Sequence, residues 1–145
     1  MLLYIMNNAT IFLIIFIYYI ILDGLMIYFY MGKTFSKMIG KIQNGEPMIP
    51  KIFPAILAFL VLAFGIYYFI IEKVRDNNIL IDSLKYGFVF GFVVYAVYDF
   101  TNLATLNNYS IKVTIIDILW GSTLAFLVTV LTKFTIKLFK KKGSQ

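Results

Sequence analysis

The sequence predicts an all-α protein, a four-helix transmembrane bundle that forms one integral membrane domain over residues 1–145. The chain is 61% hydrophobic and 19% aromatic, and its mean hydropathy is +0.88. A soluble domain of this size cannot bury so much apolar surface, because about half of its residues are ordinarily polar or charged. The apolar residues also fall into four runs of roughly the ~20 residues that a membrane-spanning helix needs. A single segment that crosses lipid must form all its backbone hydrogen bonds within itself, and only a helix does so. We therefore expect the four runs to be helices.

The expected helices cover about residues 9–31, 52–71, 86–106 and 113–132, and a basic tail follows at 133–145. No basic residue precedes the first run and no small-residue cleavage site follows it, so we expect a retained helix and not a signal peptide. Pro50 and Pro54 lie at the start of the second run, where a missing amide donor costs least. The link "NNYSIK" is short enough to force the third and fourth helices into an antiparallel hairpin.

The connection between the first two runs has helical periodicity over about residues 33–43. It carries an apolar stripe and a basic stripe, which consist of Phe35, Met38, Ile39 and Ile42 and of Lys33, Lys37 and Lys41. One interpretation is a short amphipathic helix in the membrane interface, with its lysines toward the lipid headgroups. The other is a solvated loop with incidental spacing.

The charge and composition of the chain restrict the partners and the chemistry that it can have. The net charge is +6, and the cations lie between and after the apolar runs, which indicates contact with the lipid bilayer and not with nucleic acid. The chain has no cysteine and no histidine, which excludes disulfides, thiolate or imidazole zinc sites and histidine acid–base chemistry. Eight of the 13 cations lie on the side that holds both termini, so we expect a multi-pass protein with both termini in the cytoplasm.

Three aspartates, Asp23, Asp99 and Asp117, lie inside the apolar runs, where the spans offer no lysine or arginine to pair with them. The order of the helices places all three toward one membrane face, roughly 7 to 12 Å deep at ~1.5 Å per residue. An ionised carboxylate alone in lipid costs at least ~2.5 kcal/mol on insertion scales. We therefore expect the three to share a polar interior niche.

The candidate ligand or ion pocket combines these acids with nearby hydroxyl, amide and indole groups. Its predicted members are Asp23, Tyr30, Tyr95, Tyr98, Asp99, Thr101, Asn102, Thr105, Asp117 and Trp120. Gly87, Gly91 and Gly121 are predicted helix-packing positions, because glycines four residues apart allow two helices to approach closely. The polar residues could equally act as structural hydrogen-bond clamps between helices.

Three functions remain open from these residues. The pocket could bind or pass a small cation, a proton or a polar ligand, and a pathway through so small a chain would require a homo-oligomer. The chain could instead be a structural or assembly subunit of a membrane complex or virion membrane. Thirdly, Asp23, Asp99 and Asp117 could hold a divalent metal ion in an intramembrane lipid enzyme. The sequence shows no complete metal-enzyme signature, so an enzyme is less favoured, and no cofactor beyond a cation is expected.

Three stretches resemble a family of predicted membrane proteins known as domain of unknown function 2177 (DUF2177): "LDGLMIYFY", "YDFTNLATL" and "DILWG". The matching positions are Asp23, Tyr30, Tyr98, Asp99, Thr101, Asn102, Ala104, Thr105, Asp117, Trp120 and Gly121. The resemblance covers nearly the whole chain. It departs after Asp23, where Gly24 and Leu25 stand in place of the tryptophan that is often found there. The resemblance implies a multi-pass membrane protein and no particular activity.

Overall fold

The fold is known from a computed structural model that describes residues 6–143, and no strand occurs within that range. Four helical stretches are long and apolar enough to cross a membrane: Asn8–Ile42, Ile52–Lys73, Ile79–Thr105 and Ile111–Lys141. The predicted all-α, four-helix transmembrane bundle is confirmed. With four crossings, both ends of the described chain lie at the same end of the bundle.

The first stretch consists of α1 (Asn8–Met26), a π-helical turn (Ile27–Met31) and α2 (Gly32–Ile42). Its 35 residues extend ~52 Å at 1.5 Å per residue, well beyond a ~30 Å hydrocarbon core. The segment expected at 33–43 is therefore helical, and the interpretation as a loop is wrong. It is not a separate helix, because the backbone at Gly32 keeps helical dihedrals, so that α2 extends α1.

The second stretch is α3 (Ile52–Phe69), which ends in a short 3-10 turn at Ile71–Lys73. The third begins with α4 (Ile79–Ser83), passes through a π-helical turn (Leu84–Phe88) and continues as α5 (Val89–Thr105). It starts seven residues before the expected position 86, because the charged residues there are accommodated within the helix. Arg75 bonds both carboxylate oxygens of the buried Asp82, at 2.8 and 2.9 Å.

The last helix, α6 (Ile111–Gly143), has 33 residues and extends through most of the predicted basic tail; residues 144–145 of that tail lie outside the described part. The expected end at 132 is too early, since lysine is a good helix former and its charge can leave the apolar layer along a flexible stem. Lys133 and Lys140 bind the Asp76 carboxylate at 3.1 and 3.3 Å and Lys137 donates to its backbone oxygen. Asp76 therefore holds the connection between α3 and α4 against α6.

The core lies along one face of α6, which packs against α1 and α5, while α1 also packs against α3. Its fully buried side chains come from α1, α3 and α6: Ile15, Tyr19, Ala63, Ile66, Leu124, Ala125 and Val128. Large apolar side chains elsewhere face outward, as Phe53 and Val61 of α3 do. Such a surface fits lipid as the surrounding solvent.

Two glycines bring α5 and its preceding turn directly against α6. A Cβ atom at Gly91 would overlap the backbone oxygen of Gly121 and approach the Cα of Ser122 to 2.8 Å. One at Gly87 would lie 2.7 Å from the Thr129 hydroxyl oxygen. At Gly91 the two backbones are therefore in direct contact, and at Gly87 the missing side chain leaves room for Thr129 of α6.

Candidate functional site

Asp99 on α5 is the most enclosed acid of the structure. It is 0% exposed, and the Tyr109 hydroxyl donates a hydrogen bond to its Oδ1 at 2.9 Å. The other carboxylate oxygen, Oδ2, has no hydrogen-bond partner. A buried oxygen without a donor is costly, since desolvation is not compensated. Asp99 is therefore a candidate for binding a proton or a ligand.

Tyr109 lies in the short connection between α5 and α6. The turn is possible because Asn108 adopts a left-handed backbone conformation, with φ of 65°, which asparagine tolerates better than most residues. Burial, and then the hydrogen bond to Asp99, raises the pKa of the Tyr109 hydroxyl. It therefore keeps its proton at neutral pH and acts as a donor. The Asn102 side chain lies within hydrogen-bonding reach of the same hydroxyl.

Asp117 on α6 faces Asp99 across the contact between α5 and α6. It is 8% exposed, and the two carboxyl groups lie within hydrogen-bonding reach of each other. The close approach of the helices at Gly91 and Gly121 makes this possible. Six residues separate Asp99 from the end of α5 at Thr105 and six separate Asp117 from Ile111, so both lie ~9 Å along their helices from the connection.

The third acid, Asp23, reaches this region from α1. The Trp120 indole donates to its Oδ1 at 2.8 Å, and Asp23 is close enough to interact electrostatically with Asp117. Asp23 lies four residues before Ile27, the first residue of the π-helical turn, whose amide is shared between the carbonyls of Asp23 and Gly24. Irregular turns of this kind are frequent at functional sites.

Tyrosines fill the space among the acids. Tyr95 interacts electrostatically with all three carboxyl groups, and its ring covers Gly121 so closely that a Cβ there would overlap it. Tyr19 of α1 is 0% exposed, and its hydroxyl has no hydrogen-bond partner. We call the seven residues that come together here the carboxyl cluster: Tyr19, Asp23, Tyr95, Asp99, Tyr109, Asp117 and Trp120.

Three of the residues predicted for the pocket lie elsewhere, whereas Tyr98 is exposed at its edge and lines the same groove as Tyr95 and Asp117. Thr101 and Thr105 are exposed on another side of α5, where Thr105 donates to the Thr101 carbonyl at 2.7 Å. At 100° per residue, Thr101 lies ~200° around the helix from Asp99 and cannot share its face. Tyr30 lies ~10 Å further along the helix from Asp23, beyond a π-helical turn that changes the rotational register.

The pocket predicted from the sequence contains neither Tyr109 nor Tyr19. Tyr109 belongs to a connection, where a polar residue needs no explanation, so polarity alone does not single it out. The available signal was its position ten residues after Asp99, within a turn that folds back onto α5. Tyr19 stands four residues before Asp23, on the same helical face, and that spacing did indicate a neighbour.

Within residues 6–143, no group of three acidic side chains lies close enough to hold one metal ion. The expectation that Asp23, Asp99 and Asp117 could jointly hold a divalent cation therefore finds no support in the geometry. Two of them form a pair, and the third is bound to an indole.

A groove of about 480 Å³ connects the outer surface between α3 and α5 with the carboxyl cluster. Its outer wall includes the exposed Leu57, Val61 and Tyr98, and its inner part includes Tyr95 and Asp117. The lining is apolar apart from the tyrosine hydroxyls and the carboxyl group. The groove therefore opens on the lipid-facing side of the bundle, between α3 and α5.

Four apolar helices with a polar cluster enclosed between them define an integral, multi-pass membrane protein. The comparison with protein-family models is specific: residues 8–134 match the family described as predicted membrane protein (DUF2177). The chain belongs to that family, and the resemblance inferred from its motifs is confirmed. No curated protein and no solved structure matches the chain at a significant level.

Proposed function

We propose that this protein binds a proton and a monovalent cation in competition at the paired carboxyl groups of Asp99 and Asp117. The observation that carries the proposal is the environment of Asp99. Its Oδ1 accepts a hydrogen bond from Tyr109, its buried Oδ2 has no donor, and its carboxyl group lies within hydrogen-bonding reach of that of Asp117. Oδ2 is therefore the oxygen of Asp99 that is available to a proton or a cation held by the pair.

Electrostatics favours one bound positive charge per pair. Two adjacent carboxylates in an apolar interior repel strongly, so that one proton is shared between them or a cation takes its place. Exchange of the proton for Na⁺ or K⁺ keeps the net charge of the pair at −1. Such pairs titrate together, and the proton belongs to both residues.

The donor set suits a monovalent ion better than a divalent one. Ca²⁺ takes six to eight oxygen ligands and Mg²⁺ demands an octahedron, commonly with several charged oxygens. The pair offers two carboxyl groups and nearby tyrosine hydroxyls, and no third acid completes the set. Asp23 stands close to Asp117 but accepts the hydrogen bond of Trp120, so it is a neighbour of the pair and not one of its ligands.

Labelling with dicyclohexylcarbodiimide tests the proposal, because this apolar reagent reaches carboxyl groups within membranes. A protonated carboxyl group adds across the carbodiimide: its oxygen bonds to the central carbon and its proton moves to a nitrogen. Rearrangement to the N-acylurea retains the whole reagent as added mass. We expect mass spectrometry of the labelled protein in liposomes to find this adduct on Asp99 or Asp117, and added Na⁺ or K⁺ to suppress it.

Variants distinguish a specific role of the Asp99–Asp117 pair from general effects on labelling. Asp99→Asn should abolish the protection by Na⁺ or K⁺ at Asp117, since the cation loses half of its charged ligands. Thr101→Val, which alters an exposed polar residue on another face of the same helix, should keep both labelling and protection. Absence of the adduct from both aspartates of a folded wild-type protein, or labelling that no monovalent cation alters, would refute the proposal.

A further inference from the structure

A second cavity, of about 480 Å³, lies between α2 and the start of α6. Lys33, Lys37 and Lys41 line it from α2, and Lys112 lines it from the first turn of α6. The three lysines of α2 are spaced four residues apart, so they lie on one face of the helix. We call this site the basic cavity.

The basic cavity concentrates positive charge without compensation from the protein. The salt bridges of the described residues involve Arg75, Lys133 and Lys140, and none of them involves a lysine of the basic cavity. No acidic residue is among those that line it. Four like charges around one space repel one another, and an anion is the natural counter-charge.

The other lining groups also favour an anion rich in oxygen acceptors. Tyr30, Asn108 and Ser110 bring hydroxyl and amide donors to the cavity. The N-terminus of the 33-residue α6 adds the positive end of its helix dipole, which favours negative charge nearby. A phosphate group accepts several hydrogen bonds and carries up to two negative charges, so it matches these donors.

The walls of the cavity are fixed by packing beneath it. Met38 and Val113 are 4% and 5% exposed and belong to one apolar cluster with Tyr109. The amide of Ser110 donates to the Met38 sulfur at 3.4 Å, which ties the connection between α5 and α6 to α2. The lysines therefore project from two helices whose relative position is set by this packing.

We propose that the basic cavity binds a phosphate group, carried either by the headgroup of an anionic lipid or by a free phosphate compound. The first helical stretch extends ~52 Å, so α2 reaches past the ~30 Å hydrocarbon layer to the level of lipid phosphates. This inference does not depend on the cation proposed for Asp99 and Asp117, and either can fail alone.

Native mass spectrometry of the detergent-solubilised chain, titrated with phosphatidic acid, tests the proposal. The double variant Lys37→Gln/Lys112→Gln removes one charge from each wall, and near a phosphate each lysine contributes enough that we expect about 30-fold weaker binding. The control Lys51→Gln/Lys73→Gln removes the same charge from exposed positions outside the cavity and should bind as the wild type does.

Inorganic phosphate distinguishes the two sources of the ligand. If it competes with phosphatidic acid and binds to the wild type by itself, the site accepts free phosphate compounds; if only the lipid binds, the site is a lipid headgroup site. Either result supports a phosphate site when the cavity variant is weakened and the control is not. Equal affinity of wild type and cavity variant, equal loss in the control, or no binding of either probe would overturn the proposal.

Discussion

The indole of Trp120 donates a hydrogen bond of 2.8 Å to the carboxylate of Asp23, and this contact joins the first transmembrane helix to the last. The two residues are 97 positions apart in the chain. Both residues are partly buried, and the Trp120 indole is the side-chain donor to the Asp23 carboxylate. The contact thus fixes which face of α1 meets α6 beside the carboxyl cluster.

Replacement of Trp120 by phenylalanine keeps a large aromatic side chain and removes the donor. We expect Trp120→Phe to lower the free energy of unfolding by about 1 kcal/mol, the scale of hydrogen bonds between membrane helices. Denaturation in detergent micelles, followed by circular dichroism, measures it. In the double-mutant cycle with Asp23→Asn, a coupling energy of zero would contradict a direct interaction.

Glycine at position 91 is required by the contact of α5 with α6. We expect Gly91→Ala to destabilise the protein by about 1–3 kcal/mol, because the added Cβ meets backbone atoms of α6 that cannot move aside easily. Gly24→Ala is the matched control: a Cβ at Gly24 has nothing within 4 Å, so alanine should be neutral or stabilising there. Thermal unfolding of the two variants in the same detergent compares them, and equal melting temperatures would count against the close contact.

The Tyr109 hydroxyl stabilises the ionised form of Asp99 by donating to it. Tyr109→Phe removes this donor, so we expect Asp99 to hold its proton more readily and to react faster with dicyclohexylcarbodiimide at a given pH. Initial labelling rates measure the change. Tyr68→Phe, which removes the hydroxyl of an exposed tyrosine of α3 outside the groove, should leave the rate unchanged. A slower rate in Tyr109→Phe would contradict the assignment of the donor.

The stability of the fold also depends on the ionisation of Asp76, which lies at the end of the bundle opposite the connection between α5 and α6. Its hydrogen bond to Lys133, with help from Lys140, lowers the pKa of this carboxyl group from its ordinary value of 3.8. A lowered pKa contributes stability that is present above the unfolded value and is lost as the pH falls through the folded value. We therefore expect wild type to unfold at a higher temperature than Asp76→Asn at neutral pH.

That difference should shrink as the pH falls below about 4 and vanish once the carboxyl group is protonated in both states. Melting temperatures measured from pH 7 down to pH 3 test it. Glu72→Gln, which neutralises an exposed acid in the same connection, serves as the control and should shift the melting temperature less. A difference between wild type and Asp76→Asn that persists unchanged at pH 3 would exclude the electrostatic explanation.

The sequence was sufficient for the membrane class, the four crossings and the family, because apolar runs of spanning length admit one regular structure in lipid. The third helical stretch begins at Ile79, before the expected position 86, and the fourth continues past 132 to Gly143, in both cases through charged residues next to the apolar run. Lysine and arginine continue a helix beyond the hydrocarbon layer, so charge marks the edge of the apolar layer and not the end of the helix.

For the site, the helix order indicated that the three aspartates lie toward one end, and the structure places Asp99 beside Asp117 with Asp23 nearby. The side chains around them were harder to infer. Thr101 was included for its polarity although its angle on the helix places it elsewhere, and Tyr109 was omitted because its position depends on how the turn at Asn108 folds. Distances within a helix follow from spacing, whereas contacts from a turn depend on its conformation.

The five-residue connection between α5 and α6 has a consequence for both proposed ligands. Asn108 and Ser110 line the basic cavity, while Tyr109 between them bonds Asp99. Binding at the two sites is therefore thermodynamically linked. If an anion beside the lysines changes the proton affinity of the acids by some factor, protonation of the acids changes the anion affinity by the same factor. The three consecutive residues Asn108, Tyr109 and Ser110 would then couple anion binding at the end of the bundle to protonation in its interior.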